Sequence, residues 1–188
     1  MTKTQPKSGS GAGTAALLAE IERLNNELLR TEWRLAELEA RADVDPLTDI
    51  LNRRGFDREL KRSLAYITRY GTDAALVFLD LDGFKGVNDR HGHAAGDALL
   101  KAVARELTGR VRASDVVARL GGDEFVVLLW NVNAAQALAK ARDLETAIAA
   151  AGIGASAGVA PLGRDMSPSQ ATEAADAAMY ARKKERRG

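Results

Sequence analysis

The chain has 188 residues, 46% of them hydrophobic, which is enough for one domain core with an appendage and too little for two separate cores. Its formal net charge of +1 lacks the basic excess with which a dedicated nucleic-acid-binding protein neutralises phosphates. The sequence holds no cysteine, no signal peptide and no apolar run long enough to span a membrane. These features exclude a disulfide framework and a thiolate metal site, and we expect a cytoplasmic protein without a nucleic-acid partner.

Residues 1–42 predict a leader followed by a long helix. Gly, Ser, Thr and Lys dominate residues 1–13, which we expect to be disordered. From Thr14, which suits a helix cap, the steps between successive seam positions alternate between four and three, as in a coiled coil. The positions are Leu17, Ile21, Leu24, Leu28, Thr31, Leu35, Leu38 and Ala42. Because the stripe is narrow and flanked by charges, we expect residues 14–42 to form a parallel homodimer; docking of the helix on its own domain is the alternative.

Residues 43–188 predict one domain of alternating helices and strands. A helix break is expected at Asp43-Val44-Asp45-Pro46, because the residue before a proline avoids the α conformation. The predicted helices cover residues 47–70, 94–111, 134–151 and 168–186, and the predicted strands cover residues 74–79, 116–120, 125–130 and 153–160. The first strand is apolar throughout, which is typical of a strand covered on both faces. We therefore predict an α/β (α+β) domain in which helices cover a mixed central sheet.

Two carboxylates lie in a tight turn between the second and third predicted strands. The segment reads Arg119-Leu120-Gly121-Gly122-Asp123-Glu124-Phe125 and predicts an antiparallel hairpin. Because glycine has no Cβ and tolerates positive φ, a ligand can approach Gly121 and Gly122 while Asp123 and Glu124 reach toward a cation. Taken alone this is a weak signal, since acidic residues are common in turns.

A further carboxylate, Asp80, ends the first predicted strand. If this strand lies beside the hairpin, Asp80, Asp123 and Glu124 meet at one edge of the sheet. Clustered carboxylates repel one another unless a cation neutralises them, and their hard oxygen atoms suit Mg²⁺. A site of this kind serves phosphoryl or nucleotidyl transfer, in which it activates a hydroxyl and stabilises the leaving phosphate.

Two basic segments could hold the phosphates of a nucleotide. Gly83-Phe84-Lys85 follows the first strand and opens a helix, where free main-chain N–H groups bind phosphate oxygens and Lys85 adds a positive charge. Near the end of the chain, Lys183 and Arg187 are four residues apart on one helix face. The alternative for this second pair is a solvated helix end, where the helix dipole favours cations.

The motifs, taken in order, closely resemble the GGDEF family of bacterial diguanylate cyclases over about residues 43–187. The central ones are Asp80-Leu81-Asp82-Gly83-Phe84-Lys85, Asn88-Asp89, Gly92-His93-Ala94-Ala95-Gly96-Asp97 and Arg119-Leu120-Gly121-Gly122-Asp123-Glu124-Phe125. The flanking ones are Asp45-Pro46-Leu47-Thr48, Asn52-Arg53-Arg54, Ser156-Ala157-Gly158-Val159-Ala160, and Ala175-Asp176 with Tyr180. The resemblance implies a nucleotide-cyclase-like fold and a signalling enzyme that joins two GTP molecules into cyclic di-GMP and releases two pyrophosphates.

The same resemblance implies roles for individual residues. Asp80 and Asp123, assisted by the Leu81 carbonyl, would hold Mg²⁺, with Mn²⁺ as an alternative. Glu124 would complete the acidic site near the attacking 3′-hydroxyl, and the choice of the acid that accepts the proton stays open. Lys85 would support the phosphates during catalysis.

Asn88 and Asp97 would recognise guanine, since a carboxylate can accept hydrogen bonds from both N–H donors at its Watson–Crick edge. By themselves, Asn88 and Asp97 would be interpreted as a turn residue and a helix cap. Arg112 and Asp115 match the family's RxxD inhibitory site, which binds the product, and the alternative is a surface ion pair of little energetic value.

Some positions depart from the family pattern. Asp49 replaces a glycine, Arg182 and Arg186 stand where alanine and glycine are common, and the segment before Ile153 is short for an additional hairpin. None of these departures removes a proposed ligand. The alternative function is a catalytically silent GGDEF module that acts as a receptor for cyclic di-GMP or GTP.

Overall fold

The computed structural model describes residues 10–185 and divides the chain into two compact units, Met1–Arg41 and Ala42–Gly188. The first unit is essentially the helix α1, Ser10–Ala42, which begins four residues before the predicted cap Thr14. Within the part of α1 whose side chains are described, the seam residues Leu17, Ile21, Leu24 and Leu28 are all at least half exposed. The side chains of residues 1–16, which include the whole predicted leader, and those of residues 35–42 at the end of the seam lie outside the described part of the chain.

The second unit contains five helices and four strands between residues 42 and 185. They are α2 Arg53–Tyr70, β1 Ala74–Leu81, α3 Phe84–His91, α4 His93–Arg110, β2 Val116–Gly121, β3 Glu124–Trp130, α5 Ala134–Ala150, β4 Ala155–Leu162 and α6 Pro168–Glu185. The predicted succession of helices and strands is confirmed, with α3 as a separate helix before the predicted helix 94–111 and with the first part of the second helix as the main exception.

That exception is a turn that precedes α2. The sequence pattern predicts a helix from residue 47, whereas α2 begins at Arg53 with Asn52 as its N-cap. One side-chain oxygen of Asp45 accepts hydrogen bonds from the main-chain N–H and the hydroxyl of Thr48, at 2.9 and 2.6 Å, and folds the chain into a turn. Asp49 adopts the left-handed conformation there, with φ of 58°, which explains why glycine is usual at this position.

The four strands form one sheet in the order β2-β3-β1-β4, and every pair of neighbours is antiparallel. The α/β fold class is confirmed, but the expectation of a mixed sheet is wrong for these pairings. The α3–α4 segment and α5 do connect parallel strands, as helical crossovers should. One antiparallel strand lies between the strands that each crossover joins. Among the described residues, the only parallel pairing is the isolated bridge between Leu51 and Ala118.

Both faces of the sheet are covered, as the apolar first strand predicts. On one face, Val77 and Leu79 of β1 pack in a cluster with α4 and α5. On the other face, Leu76 and Phe78 pack in a cluster with α2 and α6. Gly158 of β4 lets the backbone of α6 approach closely, because a Cβ there would lie only 2.1 Å from the main-chain nitrogen of Met179. The position of α6 therefore depends on this glycine.

Candidate active site

The register of the sheet brings the predicted acids to one edge. Asp80 at the end of β1 lies directly opposite Glu124 of β3, and Asp123 precedes Glu124 in the hairpin turn. Residues that are directly opposite on neighbouring strands have Cβ atoms about 5 Å apart on the same face. The main-chain N–H of Leu81 also donates to the carbonyl oxygen of Asp123 over 3.2 Å. The expectation that the first strand lies beside the hairpin is confirmed.

Arg119 holds the hairpin turn in place. Gly121 and Gly122 have φ of 144° and 53°, values that only glycine adopts without strain in such a turn. Two nitrogens of the Arg119 guanidinium donate to the Gly122 carbonyl at 3.0 and 2.8 Å, and the third lies 3.2 Å from each carboxylate oxygen of Asp45. Both side chains of this pair are largely buried, at 12% and 17% exposure. The turn that precedes α2 is thereby connected to the turn that carries the acids.

Glu124 lies in an environment that is unfavourable for its negative charge. Burial raises the pKa of its carboxyl, and the neighbouring carboxylates of Asp80, Asp123 and Asp176 raise it further. The Arg53 guanidinium, 3.4 Å from a Glu124 oxygen, acts in the opposite direction but does not cancel these effects. Arg53 also donates to the Leu120 carbonyl over 3.2 Å, so its position at the start of α2 is fixed by the hairpin.

Asp80 is bonded to a residue from the far end of the chain. The ammonium of Lys183, in the last part of α6, donates to an oxygen of Asp80, and the two side chains are only 20% and 18% exposed. Within residues 10–185, no three acidic or histidine side chains lie close enough together to hold a metal ion. The carboxylates nevertheless fit a divalent cation, because Asp80, Asp123, Glu124 and Asp176 bring four negative charges near the two positive charges of Arg53 and Lys183.

The predicted phosphate-binding segment joins β1 to α3. Gly83 precedes α3 in a left-handed conformation with φ of 75°, Phe84 is buried and Lys85 is exposed. The first N–H groups of a helix have no partner within the helix, so this end is suited to bind phosphate oxygens. Asp82 anchors the segment to β4, since its carboxylate accepts from the Ser156 hydroxyl over 3.0 Å.

The two residues predicted to recognise guanine lie on neighbouring helices. Asn88 of α3 is half-buried and Asp97 of α4 is exposed. Asn88 lies against Gly96, where an added Cβ would be only 2.0 Å from the side-chain oxygen of Asn88. Gly96 therefore allows Asn88 to lie against α4 next to Asp97. Neither residue caps a helix in the described structure, because Gly83 and Gly92 occupy the positions before α3 and α4.

Asp115 of the predicted inhibitory site is a structural residue as well. Its two carboxylate oxygens accept from the main-chain N–H groups of Arg112 at 2.9 Å and Trp130 at 3.0 Å. The Arg112 side chain is exposed and makes no ion pair or hydrogen bond to any described residue. Both residues line a cavity of about 220 Å³. The alternative of a surface ion pair between them is not what the structure shows.

At the C-terminal end, the described residues place only one of the two predicted phosphate-binding cations. Lys183 is at the acidic edge, whereas Arg187 lies outside the described residues. Arg182, a departure from the family pattern, forms an ion pair of 3.3 Å with Glu145 of α5.

Three residues near the acids were assigned no role from the sequence. Arg53 lies at the start of α2 and Arg119 in the edge strand β2, where arginines are usually solvated, and Asp176 lies in an alanine-rich helix. The only available signal was their place in the motifs, because their partners are 71, 74 and 52 positions away in the chain.

Comparisons with known proteins show the family of this chain. Residues 42–188 match the family model described as "Diguanylate cyclase, GGDEF domain". The chain therefore belongs to the GGDEF family. No helix within residues 10–185 has the length and apolarity needed to cross a membrane.

Among curated relatives, the probable diguanylate cyclase DgcE of Escherichia coli is 37% identical over 204 residues, which cover 100% of this chain and 17% of DgcE. Diguanylate cyclase DgcS of Shewanella oneidensis is 33% identical over 168 residues, 87% of this chain and 57% of DgcS. The chain thus spans less than two thirds of either relative.

Among solved structures, the coiled coil and GGDEF domain of DgcB from Caulobacter crescentus, in complex with c-di-GMP, superposes with a TM-score of 0.77. It is 30% identical, and the match covers 90% of this chain and 95% of that one.

Proposed function

We propose that this chain is a diguanylate cyclase, which condenses two GTP molecules into cyclic di-GMP and releases two pyrophosphates. The observation that carries the proposal is the pairing of Asp80 with Glu124 beside Asp123, at the edge where the α3 N-terminus and Lys183 also lie. Because GTP is a cytoplasmic nucleotide, the proposal includes a cytoplasmic location.

In this proposal, Asp80, Asp123 and the Leu81 carbonyl hold Mg²⁺ or Mn²⁺. When bound, the cation supplies charge neutralisation of the phosphates and activation of the 3′-hydroxyl. Glu124 completes the acidic edge beside the attacking hydroxyl, and Arg53 orients its carboxylate. In the cation-free protein the clustered carboxylates repel one another, and a bound cation would neutralise this repulsion.

The remaining site residues position the nucleotide. The main chain of Gly83 and Phe84 and the Lys85 ammonium bind the phosphates, and so do Lys183 of α6 and Arg187 further along the sequence. Gly121 and Gly122 leave room for the nucleotide above the hairpin turn. The Asp97 carboxylate accepts hydrogen bonds from the N–H donors of the guanine edge, and the Asn88 amide adds a further hydrogen bond to the base, so that GTP is selected over ATP.

The reaction requires two active edges to face each other. Each GTP supplies one 3′-hydroxyl and one α-phosphate, and each hydroxyl attacks the phosphate held by the other domain. A parallel coiled coil of residues 14–42 would keep two domains at high effective concentration. The exposed apolar stripe on α1 supports this part of the proposal.

The proposal is tested by incubation of the dimeric protein with GTP and Mg²⁺ and identification of the product by mass. We expect cyclic di-GMP, and we expect Asp123→Asn to lower turnover by about two to four orders of magnitude with an unchanged circular dichroism spectrum. Asp57→Asn, an exposed carboxylate on α2, is the matched control and should retain activity. No product from a demonstrably dimeric sample that still binds cyclic di-GMP would favour the silent receptor.

Product inhibition is tested at Arg112, because Asp115 also supports the fold. Arginine stacks on purines and forks onto phosphates, so Arg112→Ala should weaken inhibition by added cyclic di-GMP while initial rates stay similar. Arg105→Ala, an exposed arginine on α4, is the control. Equal inhibition of both variants and the wild type would remove Arg112 from the product site.

A further inference from the structure

Lys183 has an unusual environment for a residue that should bind phosphates. Its ammonium donates to Asp80 in a pair that is about four-fifths buried on both sides. Its neighbours in α6 have different partners: Arg182 pairs with Glu145 of α5, and the Lys184 ammonium lies 4.8 Å from the centre of the Tyr180 ring. Lys183 is therefore the cation of this helical turn that α6 directs to the acidic edge.

The placement of Lys183 depends on well-packed parts of the fold. Ala175 and Met179 of α6 are buried, and their backbone lies directly on Gly158 of β4. β4 is in turn paired with β1, where Ser156 lies opposite Asp80. The strand that carries Asp80 and the helix that carries Lys183 are thus held together through β4.

The ion pair competes with a divalent cation for the same oxygen atoms. An ammonium in contact with a carboxylate occupies part of its coordination sphere and repels a second positive charge, all the more because burial weakens solvent screening.

We propose that Lys183 is the counter-ion of Asp80 in the nucleotide-free protein, so that divalent cations bind tightly only when a nucleoside triphosphate draws its ammonium away. The inference rests on the proposed function, because it takes Asp80 as a metal ligand. The triphosphate carries several negative charges, whereas Asp80 carries one, so Lys183 is attracted more strongly to the bound nucleotide. By linkage, the same exchange makes nucleotide binding favour the cation and cation binding favour the nucleotide.

The experiment measures the binding of Mn²⁺ alone, without nucleotide, by titration calorimetry. Lys183→Met keeps the length of the side chain and removes its charge, and it should bind Mn²⁺ about 5- to 150-fold more tightly than the wild type, the range typical of coupling between two sites. Lys184→Met is the matched control and should bind like the wild type. In the double variant Lys183→Met/Asp80→Asn the gain in Mn²⁺ affinity should disappear, because the additional binding depends on the Asp80 carboxylate.

An affinity of Lys183→Met for Mn²⁺ that does not exceed that of the wild type would overturn the inference, and so would a gain that survives in the double variant. A circular dichroism spectrum equal to that of the wild type shows that the variants are folded. GTP turnover by the wild type decides the proposed function separately, so a cyclase whose Lys183→Met variant binds Mn²⁺ no better would contradict this inference alone.

Discussion

At the scale of single residues, glycines determine where the polar groups of the site can lie. Gly96 is the clearest case, because any Cβ at this position would collide with the side-chain oxygen of Asn88 at 2.0 Å. The motifs in the sequence predict guanine recognition for Asn88 and Asp97, but they predict no role for the glycine between them. A contact between two helices is invisible in a sequence, since it depends on how closely their backbones approach.

The first prediction concerns Gly96→Ala. The new methyl group should displace the Asn88 amide and weaken guanine binding, so that KM for GTP rises about 5- to 10-fold, the cost of one lost hydrogen bond, while kcat changes less. Gly109→Ala in the same helix is the control, because no atom lies within 4 Å of its Cβ position. Steady-state kinetics with GTP measures both, and an equal effect of the two variants would contradict the assignment of Asn88.

The second prediction concerns Glu124, whose pKa is raised by burial and by neighbouring carboxylates. Above this raised pKa the carboxylate destabilises the folded state, and the penalty disappears as the pH falls through the pKa and the group is protonated. Glu124→Gln should therefore be more stable than the wild type at about pH 8 and equally stable near pH 4.

The size of this gain is limited, because the Glu124 side chain is 39% exposed and screened by solvent. We expect no more than about 1 kcal/mol, measured by urea denaturation at both pH values with Mg²⁺ absent. A wild-type protein that is the more stable of the two at high pH would show that the Arg53 pair outweighs the repulsion.

At the scale of secondary-structure elements, periodicity predicted most of the domain. The strands and the helices α4, α5 and α6 begin and end within two residues of the predicted positions. The error before α2 has a specific cause: Leu47 and Leu51 match a helical pattern, but Asp45 and Thr48 form local hydrogen bonds that compete with a helix. The expectation of a sheet with both parallel and antiparallel neighbours was wrong. A helical crossover shows that the two strands it joins are parallel, but it does not show that an antiparallel strand lies between them.

The third prediction tests the packing of α6 on β4. In Gly158→Ala the added Cβ would lie 2.1 Å from the nitrogen of Met179 and 2.3 Å from the carbonyl oxygen of Ala175, both of which are backbone atoms that cannot rotate away. We expect a loss of about 2–3 kcal/mol in the free energy of unfolding, because α6 must move outward. Chemical denaturation measures the loss.

Gly163→Ala is the control, since no atom lies within 4 Å of that Cβ position, and a change of less than about 0.5 kcal/mol is expected. Because α6 carries Lys183 and Asp176, Gly158→Ala should also reduce cyclase activity. An alanine at position 158 that leaves stability unchanged would mean that α6 can shift without cost, and would weaken the argument that it positions Lys183.

At the scale of the whole molecule, the chain combines a GGDEF domain with a helix whose described apolar residues are exposed. Leu17, Leu18, Ile21, Leu24, Leu28 and Leu29 are all 50% to 67% exposed. The heptad pattern of the seam was evident in the sequence, whereas the partner of a seam is a property of two chains. The reaction proposed here needs two domains, and the helix offers the means to bring them together.

The last prediction uses two adjacent leucines of α1 to test the dimer. Leu28 and Leu29 are similarly exposed in the single chain, at 57% and 53%, but only Leu28 belongs to the a/d seam. Leu28→Asp should place two carboxylates opposite each other in the dimer interface and shift the protein to a monomer, whereas Leu29→Asp should leave the dimer intact. Light scattering combined with GTP turnover at nanomolar protein concentration distinguishes the two.

Activity should follow assembly. The Leu28→Asp variant should lose most of its turnover at low concentration and recover it as the concentration rises, because the coiled coil contributes effective concentration rather than a catalytic group. Deletion of residues 1–42 should have the same effect. Full activity of monomeric Leu28→Asp at nanomolar concentration would refute the dimerisation argument, and loss of assembly in Leu29→Asp as well would show that the contact surface is broader than the seam.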